Sequence, residues 1–252
     1  MSLRRRRMAA AVLCSGLLAG VCRAEFDVPW EYAVMKLHGP YSVEDRLAQF
    51  GPDARARLAP YFAVAGVPFP PESVAILAFK DARRLELYAH GPAQGWTPIR
   101  AYPVLAASGE LGPKLREGDK QVPEGLYRVT FLNANSRFHV SLRLDYPNAF
   151  DLRMAQLDGR SRLGGDIMIH GKDVSAGCLA VGDEAAEELF TLAAMIMPGA
   201  VQTVISPTDF RTTAASAVLV GGARWTADLY SSIRAELGHY PVSSRLAILD
   251  AQ

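Results

Sequence analysis

The stretch Asp166–Leu179, D-I-M-I-H-G-K-D-V-S-A-G-C-L, holds a histidine, His170, and a cysteine, Cys178, eight positions apart. A cysteine attacks as its thiolate, and a free thiol with a pKa of about 8.5 is only slightly ionised at neutral pH. A histidine within reach takes that proton and later returns it to a leaving amine, acting as base and then as acid. Gly171 and Gly177 flank the interval and allow a tight loop to fold back on itself. Gly177 also leaves the backbone N–H groups beside Cys178 open to a substrate carbonyl, as an oxyanion site requires. Ser175 either orients the loop or bonds the imidazole. A blander reading stands beside this one, since a free cysteine often behaves as a small buried core residue.

The neighbouring elements suit the task. Ile167-Met168-Ile169 has the character of a short buried strand that delivers His170 at its end, and a helical pattern runs from Glu184 to Ile196 with Ala185, Leu189, Leu192 and Ala193 inward. Strand, Gly-rich loop, nucleophile and helix is an order that holds a thiol beside a base. Upstream, the apolar run Val74–Phe79, the turn Asp81-Ala82-Arg83 and the alternating Leu85–Tyr88 predict a hairpin. Further strands are expected near Ile99–Leu105, Leu126–Leu132, Phe138–Leu144 and Val201–Ile205, with Tyr127, Val129 and Phe131 on one side. Residues 25–72 read as a helical N-terminal region and linker. Ser42 caps a first helix with Asp45 three residues on, Pro52 opens a second, and Pro60 kinks or breaks it. The cluster Pro68-Phe69-Pro70-Pro71 closes the region. The expected fold class is mainly β with a few helices (α+β), with a catalytic domain over 73–207. A C-terminal extension, 208–252, follows, with a helix from Arg224 to Leu237 packed by Trp225, Leu229 and Ile233.

The chain has 252 residues, 50% hydrophobic and 21% charged, enough for one sizeable core with appendages. Arg4–Arg7 precede an apolar run, Met8–Gly20, and Cys22-Arg23-Ala24 places small residues at the cleavage-determining sites, so 1–24 reads as an export signal. The run is short for a bilayer span, which needs roughly 20 residues, so no stable span is expected after cleavage; a retained anchor is the alternative. Removing the signal takes away five arginines and no acids, leaving 22 Lys+Arg against 26 Asp+Glu, a net charge of −4. Nothing in that balance points to nucleic acid. It also leaves Cys178 as the sole cysteine, and an unpaired thiol in an oxidising compartment such as the periplasm needs a reason to be there.

H-G-x-x-x-S-x-G-C, from His170 to Cys178, resembles the signature of the L,D-transpeptidase catalytic domain (YkuD type). Gly109–Glu124, Ser136–Asp151 and Val74–Tyr88 extend the resemblance to the YafK-like branch of murein L,D-transpeptidases, over about 70–210, and the prelude Pro40–Leu47 is similar to branch members as well. The resemblance implies a β-rich, exported enzyme of the cell wall that needs no cofactor and acts on peptidoglycan stem peptides. Its cysteine would attack the carbonyl of an L-residue bonded to meso-diaminopimelate or D-alanine. On that basis Cys178 is the nucleophile and His170 the proton acceptor and donor. Gly177, Ser175 and Gly171 support the loop, and a backbone carbonyl rather than an Asp holds the histidine tautomer.

Three departures leave the acceptor open: Ala176 stands where many relatives carry a second histidine, Leu179-Ala180-Val181 is apolar where many carry Arg or Asn, and the His–Cys interval is shorter than in cross-linking members. The acyl group could pass to a diaminopimelate amine, to a lipoprotein lysine or to water. Branch members are linked to detaching a murein-bound lipoprotein, a hydrolysis by the same covalent chemistry. A non-catalytic wall-binding module is the alternative of another class.

Lys114, among the charges of Arg116, Glu117, Asp119 and Lys120, either lines the cleft and meets stem-peptide carboxylates or sits in a solvated turn. Tyr146 and Asn148 flank Pro147 in a turn whose tyrosine could wall the site. His139 belongs to an alternating strand and is expected to be satisfied locally. The spacing of the histidines and cysteines fits no zinc site, and neither a phosphate loop nor a nucleotide fingerprint is present, so no metal is expected.

Overall fold

The computed structural model describes residues 39–91, 95–196, 198–214, 223–243 and 246. The expected signal, 1–24, lies outside these residues. The first element, α1, runs unbroken from Val43 to Ala65. Its start is a reciprocal cap: the Asp45 N–H donates to Ser42 Oγ at 3.1 Å and the Ser42 N–H donates to Asp45 Oδ2 at 2.8 Å. Pro52 and Pro60 both lie inside it, so the expected break at Pro60 does not occur. A proline inside a helix costs about 3 kcal/mol. Phe50, Ala54, Leu58 and Phe62, each four residues apart and at most 6% exposed, form a stripe that offsets this, because burying a large apolar side chain contributes about 1.5–3 kcal/mol. Gly66, in the left-handed region at φ 69°, ends the helix.

Nine strands follow among the described residues: β1 Ser73–Phe79, β2 Arg84–Gly91, β3 Gly95–Pro103, β4 Ala106–Ala107, β5 Gly125–Asn133, β6 Ser141–Leu144, β7 Met168–His170, β8 Leu179–Ala180 and β9 Val201–Ser206. They form one mostly antiparallel sheet in the order β3-β2-β1-β9-β5-β6-β7-β8-β4, with β1–β9 and β7–β8 parallel. The helices are α1, α2 (Ala149–Leu157), α3 (Asp183–Ile196) and α4 (Thr226–Leu237). The α+β reading, mainly β, describes this architecture. Helix α2 was not anticipated; its signal is the cap at Asn148, whose Oδ1 accepts from the Phe150 and Asp151 N–H groups.

The apolar run of β1 is explained by cover on both faces. Val74, Ile76 and Ala78 join the core under α1 and α3, while Ala75, Leu77 and Phe79 join a second core with Trp225, Leu229 and Ile233 around α4. Two expectations need correction. A bulge between Val129 and Phe131 shifts the register of β5, so Tyr127 and Val129 face inward while Phe131 is 56% exposed and Leu132 takes the inward place. Phe138–Val140 form a turn instead of strand, with His139 at φ 75°, and β6 begins only at Ser141.

Candidate active site

Strands β7 and β8 run parallel, with Ile169 opposite Leu179 and His170 opposite Ala180. Paired residues share a face and alternate along each strand, so Met168, His170, Ala180 and, by continuation, Cys178 point to one side of the sheet. Cys178 is thus the diagonal neighbour of His170. The connection from 171 to 178 is short for two adjacent parallel strands, which usually require a dozen or more residues. Lys172 at φ 60° and Gly177 at φ 114° make the reversal, and the latter angle excludes an ordinary side chain. Gly171 has a different reason to be glycine: a Cβ there would lie 2.5 Å from Asp183 Oδ1 and 2.8 Å from the Phe138 carbonyl oxygen.

Ser175 closes the loop. Its hydroxyl donates to the Cys178 carbonyl at 2.7 Å and accepts from the Cys178 N–H at 3.1 Å. Of its two expected roles, it therefore takes the loop-orienting one. The same bond corrects the oxyanion expectation, since the Cys178 N–H is occupied. Among the described residues the Gly177 N–H has no acceptor, and it is the donor left available beside the thiol.

His170 is 2% exposed, and its Nδ1 lies 2.6 Å from the Gly171 carbonyl oxygen. A carbonyl only accepts, so Nδ1 carries the proton and Nε2 keeps its lone pair for a base. Burial pushes the His170 pKa below its ordinary value, with the Gly171 carbonyl working in the opposite direction. Burial pushes the Cys178 thiol up, the Met168 N–H opposes this, the Asp166 charge adds to it and the Lys114 charge lowers it. The resting pair is therefore neutral thiol and neutral imidazole. Cys178 Sγ donates to the Asp166 carbonyl at 3.6 Å, and among the described residues no hydrogen bond joins it to His170. The proton path closes only when Sγ turns from Asp166 toward Nε2, as often holds before substrate arrives.

The structure adds two neighbours that the sequence reading missed. The Phe138 ring stacks on His170 with centroids 4.6 Å apart and an interplanar angle of 26°. Ser141, opposite His170 across β6 and β7, has a buried hydroxyl with no partner among the described residues. Only the block Ser136–Asp151 hinted at either, and nothing in an isolated Phe or Ser announces such a position.

The remaining expected residues are engaged by other parts of the fold. Lys114 is 7% exposed; its ammonium donates to the Arg116 carbonyl at 2.9 Å and pairs with Asp119. Asn148 caps α2 and donates through Nδ2 to the Leu126 carbonyl at 2.8 Å. Tyr146, 4% exposed, donates to the Leu163 carbonyl at 3.4 Å and offers little surface to a substrate. His139 Nε2 lies 3.0 Å from Glu187 Oε1. The loop carrying Lys114 is anchored by Lys80, whose ammonium donates to the Gly112 and Val122 carbonyls at 3.1 and 3.2 Å and to Glu124 at 2.9 Å. A groove of about 1150 Å³ runs between that loop, residues 159–162 and α4, lined by Leu115, Arg116, Arg160 and Tyr230 but by neither Cys178 nor His170. Among the described residues, no three His, Cys, Asp or Glu side chains converge to hold a metal, and no helix is long and apolar enough to cross a membrane.

Comparison with known proteins gives the family of the domain. Residues 73–205 match the model of the L,D-transpeptidase catalytic domain, YkuD. The chain is 37% identical over 119 residues to the proteins named "Putative L,D-transpeptidase YafK" of Escherichia coli K12 and O157:H7, covering 46% of this chain and 46% of each of theirs. It thus spans just under half the length of these curated relatives. Among solved structures it is similar to the helical cell shape determining protein Pgp2 of Campylobacter jejuni (21% identity, TM-score 0.43, 54% of this chain and 48% of that one). It is also similar to L,D-transpeptidase 1 of Mycobacterium tuberculosis (14%, TM-score 0.31, 53% and 62%). Those two scores are too low to carry an argument. The match over 73–205 takes in more than half of the chain and includes β1 to β8 and all of β9 but Ser206, together with His170 and Cys178, and by it the chain belongs to the L,D-transpeptidase catalytic domain family.

Proposed function

We propose that this protein is an exported cysteine acyltransferase of the cell wall that cuts and rejoins peptidoglycan stem peptides in the periplasm or cell envelope. The observation that supports the reading is the parallel pairing of β7 and β8, which sets His170 opposite Ala180, two residues after Cys178, with Nδ1 bonded to the Gly171 carbonyl. Sγ attacks the carbonyl carbon of the donor peptide while its proton passes to Nε2. The Gly177 N–H is the donor in reach of the developing oxyanion. Collapse breaks the C–N bond, the leaving amine takes the proton back from Nε2, and a thioester remains on Cys178. A second amine, deprotonated by Nε2, attacks the thioester; the C–S bond breaks and the thiol regains its proton.

A second reading has its own observation. Leu179, Ala180 and Val181, directly after the nucleophile, are at most 3% exposed, so this segment offers no polar side chain to hold an acceptor amine. Water would then resolve the thioester, and the enzyme would release a murein-bound lipoprotein from diaminopimelate. Mass spectrometry of products from diaminopimelate-containing muropeptides, with and without attached lipoprotein and beside Cys178→Ala, separates the two. A Cys178-dependent peptide dimer or newly attached lysine supports transfer, and Cys178-dependent release of free lipoprotein supports hydrolysis. Identical products from Cys178→Ala would refute both.

A further inference from the structure

We propose that α1, which lies outside the matched catalytic domain, is a positioning element of the site: it holds the 134–139 turn so that Phe138 covers and orients the His170 imidazole. Two direct contacts tie the turn to this helix, and a third ties it to Tyr41, two residues before the helix begins. Just before α1, Tyr41 and Asn135 bond reciprocally, the Tyr41 N–H donating to Asn135 Oδ1 at 2.7 Å and Asn135 Nδ2 donating to the Tyr41 carbonyl at 2.8 Å. Within α1, buried Arg46 donates from Nε to the Ala134 carbonyl at 2.8 Å, and the Phe50 ring lies 5.7 Å from that of His139. A fourth tie passes through α3: Arg57 pairs with Glu187 at 2.8 Å, and Glu187 meets His139 at 3.0 Å.

The far side of the turn presses on the site. The Gly171 N–H donates to the Val140 carbonyl at 3.3 Å, and the Phe138 carbonyl crowds Gly171 so closely that no Cβ fits between them. His139 holds φ 75°, a region that non-glycine residues seldom occupy and that surrounding contacts must impose. The turn is thus clamped between α1 and the β7 end, and Phe138, 38% exposed, is its outermost ring, face to face with the imidazole. Its removal would admit water to one face of His170 and free the ring to rotate about the Gly171 bond. Burial is the largest cause holding this histidine below its ordinary pKa, which gives the ring a measurable signature.

The inference rests on His170 being the base for Cys178, and the test separates the two claims. The His170 ring signal, assigned by its loss in His170→Gln, is titrated by NMR in the full chain and in Phe138→Ala, Phe138→Tyr and Asn135→Ala. Alkylation of Cys178 by iodoacetamide is followed across pH by peptide mass mapping. The other ionisable or charged groups packed near the site are Cys178 beside β8 and the Lys114 charge that acts on it, Asp166 with its partner Arg143, His139 in the turn with Glu187, and Asp183 with its partner Lys172. All are shared by wild type and these variants, so a change in Phe138→Ala reports the ring. Its loss is expected to raise the His170 midpoint by about half a pH unit and to slow Cys178 alkylation near neutrality about tenfold. Phe138→Tyr restores both, Asn135→Ala shifts both in the same direction by less, and the Tm changes little because Phe138 is partly exposed. An unchanged midpoint in folded Phe138→Ala overturns the positioning role. A midpoint that moves while alkylation ignores His170→Gln upholds the stack and overturns the assignment of His170 as base.

Discussion

The two ends of the sheet are built differently. At the β3-β2-β1-β9 end the strands run six to nine residues, and the buried carboxylates nearby are saturated with donors. Glu188, fully buried on α3, receives Arg57 at 2.8 Å, Arg100 at 2.7 Å and the Tyr102 hydroxyl at 2.9 Å. Glu86 on β2 receives Arg84 at 2.7 Å and Arg211 at 2.8 Å. At the β6-β7-β8-β4 end the strands run two to four residues. There, among the described residues, His170 Nε2, the Gly177 N–H and the Ser141 hydroxyl have no partner. One end pairs its buried carboxylates with several cations, although Arg84 Nε and Thr203 Oγ1 there also lack a partner among the described residues, and the other keeps polar groups beside the thiol whose partners would come with a substrate.

That contrast predicts that chemistry and stability fail separately. Cys178→Ala is expected to reduce turnover to background and His170→Ala to lower it about 10²–10⁴-fold, each with a folded protein. Steady-state assays beside thermal melts check this, and full activity in Cys178→Ala would break the account. At the other end, Glu188→Ala leaves Arg100 without its carboxylate and Arg57 with Glu187 alone, and is expected to cost about 3 kcal/mol, the low end for a broken buried pair because both arginines are partly exposed. Denaturant titration measures it, and a loss under about 1 kcal/mol would show that the network contributes little.

The pH dependence of the reactive end has a definite sign. His170 must be neutral to act as base and its pKa is depressed, so kcat/KM should fall on its acid side with a half-point below the ordinary histidine value of about 6.5. Stability follows the same group. The unfolded chain takes up the proton first, so this contribution is present above about pH 6.5 and is lost as pH falls toward the folded value. An acid limb centred above 6.5 would contradict the buried, neutral base.

The smallest effects separate two serines, Ser175 in the loop before β8 and Ser141 at the start of β6. Ser175→Ala removes both hydroxyl bonds around Cys178 and is expected to cost about 1 kcal/mol and to lower kcat about tenfold. Ser141→Ala removes a buried hydroxyl that has no partner among the described residues, so stability should stay within about 0.5 kcal/mol of wild type. A large loss of stability in Ser141→Ala would mean that its hydroxyl is bonded in solution.

Local signals made much of the molecule legible. The cap at Ser42, the β1–β2 hairpin, α3 and α4 follow from capping chemistry and apolar period, and His170 and Cys178, beside Gly171 and Gly177, mark the candidate catalytic loop in the sequence itself. The parts that were missed depend on contacts distant in sequence. Pro60 passes through α1 because the Phe50-Ala54-Leu58-Phe62 stripe is buried against α3 and the sheet, which no local propensity encodes. Phe131 faces outward because of a bulge set by the pairing of β5 with β6. Lys114, Tyr146 and Asn148 were chosen by residue type, and their bonding to Asp119, Leu163 and Leu126 emerges only when the loops pack. Phe138 reaches His170 from about thirty residues away, through a turn shaped by α1.

The central claim is covalent catalysis by Cys178 with His170 as its base, and intact-protein mass spectrometry tests it most directly. Protein incubated briefly with a diaminopimelate-containing stem peptide and quenched in acid is predicted to gain the mass of the donor acyl group, mapped to Cys178. The adduct should be absent in Cys178→Ala and should form far more slowly in His170→Ala. Turnover of the peptide with no adduct on Cys178, or an adduct that survives in Cys178→Ala, would contradict it.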